Sequence, residues 1–246
     1  MTGEVRRAAE ILRAGGLVAF PTETVYGLGA DASSAAAVAR LYAVKRRPAD
    51  HPVIVHFANA ERAFAWTRDA PDAARTLAAQ FWPGPLTLVL KRSALAGDFV
   101  TGGEDTIGVR LPAHPVAHAM LEAFGSGVAA PSANRFGRVS PTTAAHVRAD
   151  LGSDVELVLE GGASEVGIES TIVDLSRGHP VLLRPGRISR DALEAALGEA
   201  VLLGDQYAPR HPGGLERHYA PRTPLRLVPP HALRSEERRV GKECRL

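Results

Sequence analysis

Residues 155–183, VELVLEGGASEVGIESTIVDLSRGHPVLL, decide the fold class. They hold three strand-like runs, Val155 to Leu159, Ser170 to Leu175 and Val181 to Leu183, with no room for a helix between them. Parallel neighbours need a long crossover, usually helical, so a succession of bare strands calls for antiparallel pairing. Upstream the pattern differs. Val5, Ala8, Ala9, Ile11 and Leu12 share one face of a helix over Glu4 to Arg13, which Gly15-Gly16 stops. Leu17 to Phe20 reads as a short buried strand broken by Pro21. The alanine-rich helix Ala35 to Val44 follows, with Ser33 and Ser34 as caps.

Further on, Val53 to Phe57 is a strand and Pro71 to Phe81 a helix entered through proline. Leu86 to Leu90 and Thr106 to Leu111 are strands with only a loop between them. A helix over Val116 to Phe124, a strand Val128 to Ala130 and a helix Thr142 to Leu151 lead into the three runs, and Ser189 to Leu197 closes as a helix. Early alternation followed by consecutive strands predicts an α/β fold: a single domain with a twisted, mixed parallel/antiparallel sheet flanked by helices. That domain is expected over 1–203. Residues 204–230, with six of the chain's 18 prolines, read as a linker or lid. Residues 231–246 include the charged run SEERRVGKECRL without an apolar face, and read as a disordered or non-native tail.

With 45% hydrophobic and 23% charged residues, the chain has the composition of an ordinary globular protein. Lys plus Arg number 29 against 27 Asp plus Glu, so the overall charge does not call for nucleic acid. One cysteine, Cys244, rules out a disulfide framework within the chain. The N-terminal residues lack the apolar core of a signal peptide, and no apolar run approaches the ~18 residues of a membrane span. A cytoplasmic protein is expected.

Familiar catalytic signatures are missing or incomplete. Gly27-Leu28-Gly29-Ala30-Asp31-Ala32 follows a strand and precedes a helix, but lacks the third glycine of a dinucleotide fingerprint. His114 and His118 have the spacing of a zinc pair without the glutamate of a metalloprotease or a third ligand. No nucleophile elbow surrounds Ser132, Ser140 or Ser170, and no metal ligand set is assigned. What recurs is a polar loop after an apolar strand: Thr22-Glu23-Thr24, Lys45-Arg46-Arg47-Pro48, His51 with His56, Ser132-Ala133-Asn134, Ser140, and Glu169-Ser170-Thr171. Arg110 and Arg184 lie in or at the end of apolar strands, and the alternation leaves the face of Arg110 open. Cleft arginines need anionic partners, and carboxylates and phosphates match their fork. Lys45, Arg46 and Arg47 also suit a helix C-terminus simply as cations.

These loops, in this order, make the chain similar to the threonylcarbamoyl-AMP synthases, the YrdC-like family. The resemblance starts at Phe20-Pro21-Thr22-Glu23-Thr24-Val25-Tyr26-Gly27-Leu28-Gly29 and runs through Lys45-Arg46-Arg47-Pro48 and the strand ending at His56. It takes in Trp82 to Thr87, Thr106 to Pro112, Ala130 to Asn134 and Ser140-Pro141-Thr142, and closes with Gly167 to Ile172 and Leu183 to Gly186. Pro212-Gly213 and His218-Tyr219-Ala220-Pro221 resemble the linker of a longer, two-domain branch, whose small C-terminal domain is expected to be absent here.

The resemblance implies an enzyme that turns L-threonine, bicarbonate or carbon dioxide, and ATP into threonylcarbamoyl-AMP and pyrophosphate. Lys45 and Arg47 would be catalytic. Thr24, His56, Arg110, Ala130 and Ser170 would hold L-threonine, with Arg110 on its carboxylate. Lys45, Arg47, His51, Thr106, Ser132, Asn134, Ser140 and Arg184 would hold ATP. His51 stands where many relatives carry asparagine. Mg²⁺ would arrive with ATP, with no tightly bound cofactor. The product would pass to a threonylcarbamoyl transferase acting on tRNA, with at most a weak contact to RNA and none to a membrane. Two other readings are an RNA-binding or ribosome-associated module of the same fold, and a carbamoyl-adenylate module like those of hydrogenase maturation. The paired Lys45–Arg47 and Ser132–Asn134 loops argue against the first. The missing zinc-finger and acylphosphatase-like regions argue against the second.

Overall fold

The computed structural model describes residues 3–204, 208–213 and 229. The tail 231–246 with Cys244, and most of the linker 204–230 including His218 to Pro221, lie outside the described residues. In chain order the elements are α1 (Gly3–Arg13), β1 (Val18–Phe20), β2 (Gly27–Asp31), α2 (Ala35–Lys45), β3 (Ile54–His56) and α3 (Ala60–Ala65). Next come α4 (Asp72–Phe81), β4 (Leu86–Lys91), α5 (Asp98–Thr101), β5 (Thr106–Arg110), α6 (Pro115–Phe124) and β6 (Val128–Ala129). The remainder are α7 (Ala144–Leu151), β7 (Leu157–Val158), β8 (Thr171–Asp174), β9 (Val181–Arg184), α8 (Arg190–Leu197) and β10 (Leu202–Leu203).

The strands form one sheet in the order β10-β9-β8-β4-β5-β3-β6-β2-β1-β7. Pairing is mixed, and of the three bare runs β8 and β9 pair antiparallel while β7 lies at the opposite edge, parallel to β1. Parallel pairs are β1–β7, β3–β5, β4–β8 and β9–β10. Antiparallel pairs are β1–β2, β2–β6, β3–β6, β4–β5 and β8–β9. Local capping agrees with the sequence: Ser34, Thr143 and Ser189 each accept a backbone N–H at a helix start.

The sequence reading did not give β2, α3, α5 or β10. Gly27–Asp31 is a strand whose glycines serve packing. A Cβ at Gly29 would lie 2.9 Å from Val128 Cγ1 and 3.0 Å from Phe20 Cε1, so the Phe20 ring takes the space a side chain would need. The β4–β5 connection contains the one-turn helix α5, and α3 follows β3 with Asn59 as its cap. Both are too short for a 3.6-residue period to declare itself. His114 accepts the Val116 N–H at the start of α6, so one of the two candidate zinc histidines is a helix cap.

Register gives the central strands two different faces. On one, Val55, Leu86, Leu88, Leu90, Val109 and Val173 join the largest core with residues of α4 and α8. On the other, Ile54 and Val89 flank Gly108, and Thr87 lies beside both Arg110 and Ile172. Ile54, Val89 and Ile172 make only a small apolar floor on that face. Two further cores fill the space under α1 and α6 and between α2 and α7.

Gly186 lets β9 end close against β8. A Cβ there would meet Thr171 N at 2.5 Å and Glu169 O at 2.8 Å, both backbone atoms that cannot swing aside. Gly186→Ala is therefore expected to destabilise the protein by about 1–3 kcal/mol in urea denaturation, as overpacking does.

Candidate active site

The polar face of the central sheet is where the sequence-predicted residues collect. Thr24, Arg47, His56, Arg110, Ala130, Ser132, Ser170 and Arg184 line one cleft, with Thr22, Ile54, Glu169 and Pro212 among its other walls. His56 of β3 pairs directly with Arg110 of β5, and Arg110 with Thr87 of β4. Neighbouring residues in register share a face, which settles the orientation of Arg110. Its guanidinium is buried: Nη2 donates to Glu23 Oε1 at 2.6 Å and Nε to the Gly84 carbonyl at 3.3 Å.

His56 is only 3% exposed. Burial, and then the charge of Arg110, drives its pKa down to about 3, so it is a neutral imidazole under ordinary conditions. Its Nδ1 has no hydrogen-bond partner among the described residues. Ser170 is fully buried. Its Oγ shares a 2.8 Å hydrogen bond with Thr87 Oγ1 and accepts from Arg184 Nη2 at 3.1 Å. Arg184 Nε also donates to the Ser170 carbonyl at 3.0 Å, and Nη1 to the Pro212 carbonyl at 2.9 Å.

The loops around the cleft are tied by backbone. Tyr26 N–H donates to the Pro141 carbonyl and Ala133 N–H to the Tyr26 carbonyl, which fastens the Ser132–Asn134 loop to the β1–β2 connection. Val166 and Gly167 N–H groups donate to the carbonyls of Glu23 and Thr24, joining that connection to the Glu169–Ser170 loop. Thr22 Oγ1 and Thr24 Oγ1 share a 2.9 Å hydrogen bond.

Lys45 is the last residue of α2. Arg46 then takes a left-handed φ of 54° and caps the helix, turning Arg47 into the cleft. Lys45 stays behind the lining: its Nζ donates to the carbonyls of Ser132 and Asn134, each at 2.5 Å, and the side chain is buried. Burial, followed by the charge of Arg47, pulls its pKa down to about 7. Arg47 Nη2 donates to the Pro52 carbonyl at 2.9 Å, and its guanidinium lies 5.6 Å from the Phe136 ring centre.

The other predicted ATP residues lie around this cleft but not in its wall. His51 packs edge-on against Phe136, 5.7 Å between ring centres, and burial lowers its pKa. Asn134 and Ser140 line a larger, more open neighbouring pocket with Arg138, His146 and Asp150. Ser140 Oγ reaches back toward the cleft, donating to Glu169 Oε1 at 2.5 Å. Thr106 lies at the far end of the floor, in a small cavity roofed by Arg210, His211 and Pro212. Arg210 anchors this strap through Glu104 and the Gly102 carbonyl.

Three contributors escaped the sequence reading as partners: Glu23 on Arg110, Thr87 on Ser170, and Phe136 against Arg47 and His51. Thr87 left one signal, as the hydroxyl residue inside the apolar strand LTLVLK. Among the described residues no group of three or more His, Cys, Asp or Glu could hold a metal ion, and no helix is long and apolar enough to cross a membrane.

The neutral His56 carries a stability consequence. Its folded pKa lies below the ordinary 6.5, so on acidification the unfolded chain takes the proton first. Stability present above pH 6.5 is lost as the pH falls toward 3. Between pH 7 and 4.5 this amounts to roughly 2–3 kcal/mol. His56→Asn is expected to lose that much less over the same interval, measured by denaturant unfolding at each pH.

Comparison with known proteins places the chain among relatives. A family model named for Sua5, YciO and YrdC, and described as telomere recombination, matches residues 10–186. A second, described as the threonylcarbamoyl-AMP synthase C-terminal domain, matches residues 188–245. Threonylcarbamoyl-AMP synthases of Pyrococcus abyssi and Bacillus subtilis are each 44% identical over 230 residues. Those alignments take in 92% and 91% of this chain and 68% and 66% of the relatives, so the chain spans about two thirds of their length. The crystal structure of P. abyssi Sua5 complexed with L-threonine superposes with a TM-score of 0.89 at 42% identity, over 97% of this chain and 73% of that one. With a family model matching residues 10–186 and relatives 44% identical over most of the chain, the chain belongs to the Sua5/YciO/YrdC family.

Proposed function

We propose that the chain is an L-threonylcarbamoyladenylate synthase, a nucleotidyltransferase serving tRNA modification in the cytoplasm. One observation carries the reading: Arg110 beside a neutral imidazole, and Arg47 with Arg184, open on a single cleft. Such a cleft suits two anionic substrates held side by side, an amino acid carboxylate and a nucleotide phosphate. The relatives named as synthases, and the one crystallised with L-threonine, support the same substrates.

In this reading Arg110 takes the threonine carboxylate, while Thr24, His56, Ser170 and the backbone at Ala130 surround the rest of the molecule. A neutral His56 adds no second positive charge and can accept a hydrogen bond. The threonine amine adds to carbon dioxide and releases a proton, or condenses with bicarbonate and releases water, and either way forms a carbamate. A carbamate oxygen then attacks the α-phosphate of ATP, and the bond to pyrophosphate breaks. The nucleophile belongs to the substrate, so the protein's task is to position the two partners and spread the phosphoryl charge. Arg47 and Arg184 would face the phosphates, with Ser132, Ser140, Asn134, Thr106 and His51 on the nucleotide. Lys45 holds the Ser132–Asn134 loop from behind and adds its charge when protonated. Magnesium enters as part of the nucleotide substrate. The product would go to a transferase that places the threonylcarbamoyl group on tRNA. The RNA-module reading has less support, since Arg135, Arg138 and Arg148 near these loops each pair with a carboxylate.

The test is pyrophosphate release from ATP, bicarbonate and Mg²⁺, with and without L-threonine. Release is expected to require threonine. Arg110→Lys keeps the charge opposite Glu23 but loses the fork. It is expected to lower kcat/KM for threonine about 10- to 150-fold, the worth of a charge-assisted hydrogen bond. Threonine-independent release, or none, would sink the reading.

A second expectation concerns protons. With its pKa near 7, Lys45 is only partly charged at pH 7.5. A bound triphosphate favours the charged form, so ATP binding should take up about half a proton or more. Calorimetry in buffers of different ionisation heat measures that uptake, and Lys45→Met is expected to abolish most of it.

A further inference from the structure

Arg110 is held from behind. Glu23 Oε1 accepts from Arg110 Nη2 at 2.6 Å, while Glu23 Oε2 accepts the Ala113 N–H at 3.0 Å. Both carboxylate oxygens are therefore committed. Glu23 is 7% exposed and lies outside the cleft wall, whereas Arg110 is part of it. The Gly84 carbonyl takes Nε, and Nη1 has no hydrogen-bond partner among the described residues. The guanidinium thus has its Nε and Nη2 groups engaged by protein, and Nη1 remains for a ligand. Because the guanidinium is planar and rigid, holding Nε and Nη2 also fixes the direction in which Nη1 can donate to a carboxylate.

Glu23 is also joined to the rest of the site by its backbone. Its carbonyl accepts the Val166 N–H at 2.9 Å, and the next residue, Thr24, is on the cleft wall. One residue therefore links the arginine on β5, the turn before α6 through Ala113, and the loop that leads to Ser170.

We propose that Glu23 is a positioning residue for substrate: it orients Arg110 so that Nη1 presents to the carboxylate of the amino acid. The inference rests on the synthase reading above and deepens it. Glu23 touches no reacting atom and acts only through Arg110. Removing its charge or its reach should weaken recognition of the carboxylate selectively and leave the other contacts to the amino acid in place.

The test is calorimetric titration with L-threonine and with L-threoninamide, which lacks the carboxylate charge, on wild type, Glu23→Gln and Glu23→Asp. Glutamine has one acceptor where two are needed. Aspartate keeps the charge but is one methylene short of spanning Arg110 and Ala113 together, and it guards against a fold lost with the charge. Each variant is expected to bind threonine at least ten-fold more weakly, with threoninamide binding changed less than two-fold; melting temperatures should fall, since Arg110 loses a buried partner, but each variant should still unfold in one cooperative transition above the titration temperature. Threonine binding within two-fold of wild type in both variants overturns the inference. So does an equal weakening of both ligands, which marks a scaffold role. Wild-type protein that binds no threonine overturns the synthase reading, and this inference with it.

Discussion

The structure depends on how it tolerates cations beneath the surface. Lys45, Arg47, Arg110 and Arg184 are all buried at one cleft. Desolvating a charge costs several kcal/mol unless the protein supplies partners. Each cation has them: two carbonyls for Lys45, Glu23 and a carbonyl for Arg110, the Pro52 carbonyl for Arg47, and Ser170 with Pro212 for Arg184. Most of these partners are backbone oxygens, whose positions are set by the strands and turns that carry them. The cleft is thus an outcome of the whole sheet, whose backbone oxygens hold most of these cations in place.

The two faces of the sheet divide the labour. Leucines and valines of β3, β4, β5 and β8 pack under α4 and α8, and this packing holds the register. A slip of one residue would turn Arg110 and His56 into the core and Val55 and Val109 into the cleft. The apolar core therefore enforces the orientation of the charged groups opposite it. On the cleft face the small floor of Ile54, Val89 and Ile172, with Gly108 between strands, leaves room for ligand rather than helix.

Much of this was legible in the chain. The helices α1, α2, α4, α6, α7 and α8 declared themselves by period and caps, and the mixed sheet followed from strands with no room for crossovers. The polar loops after strands were visible too, and so was their resemblance to a family. The gaps share a cause. The strand at Gly27–Asp31 looks like a loop because glycine has weak strand propensity, and only the Phe20 ring and Val128 explain why no side chain fits. The one-turn helices α3 and α5 offer too few residues for a pattern.

The residues alone determined the fold class, the order of elements and an anion-binding character, since periodicity and side-chain chemistry are local properties. They could not say which of the polar residues would meet. Glu23 and Arg110, Thr87 and Ser170, or Lys45 and the Ser132–Asn134 loop are each more than 80 residues apart. Only strand register and backbone ties bring them together. The state of His56 belongs to the same class: an imidazole is an ordinary base until burial and a neighbouring guanidinium make it neutral. Contact across the chain and desolvation are properties of the folded protein, and no local pattern encodes either.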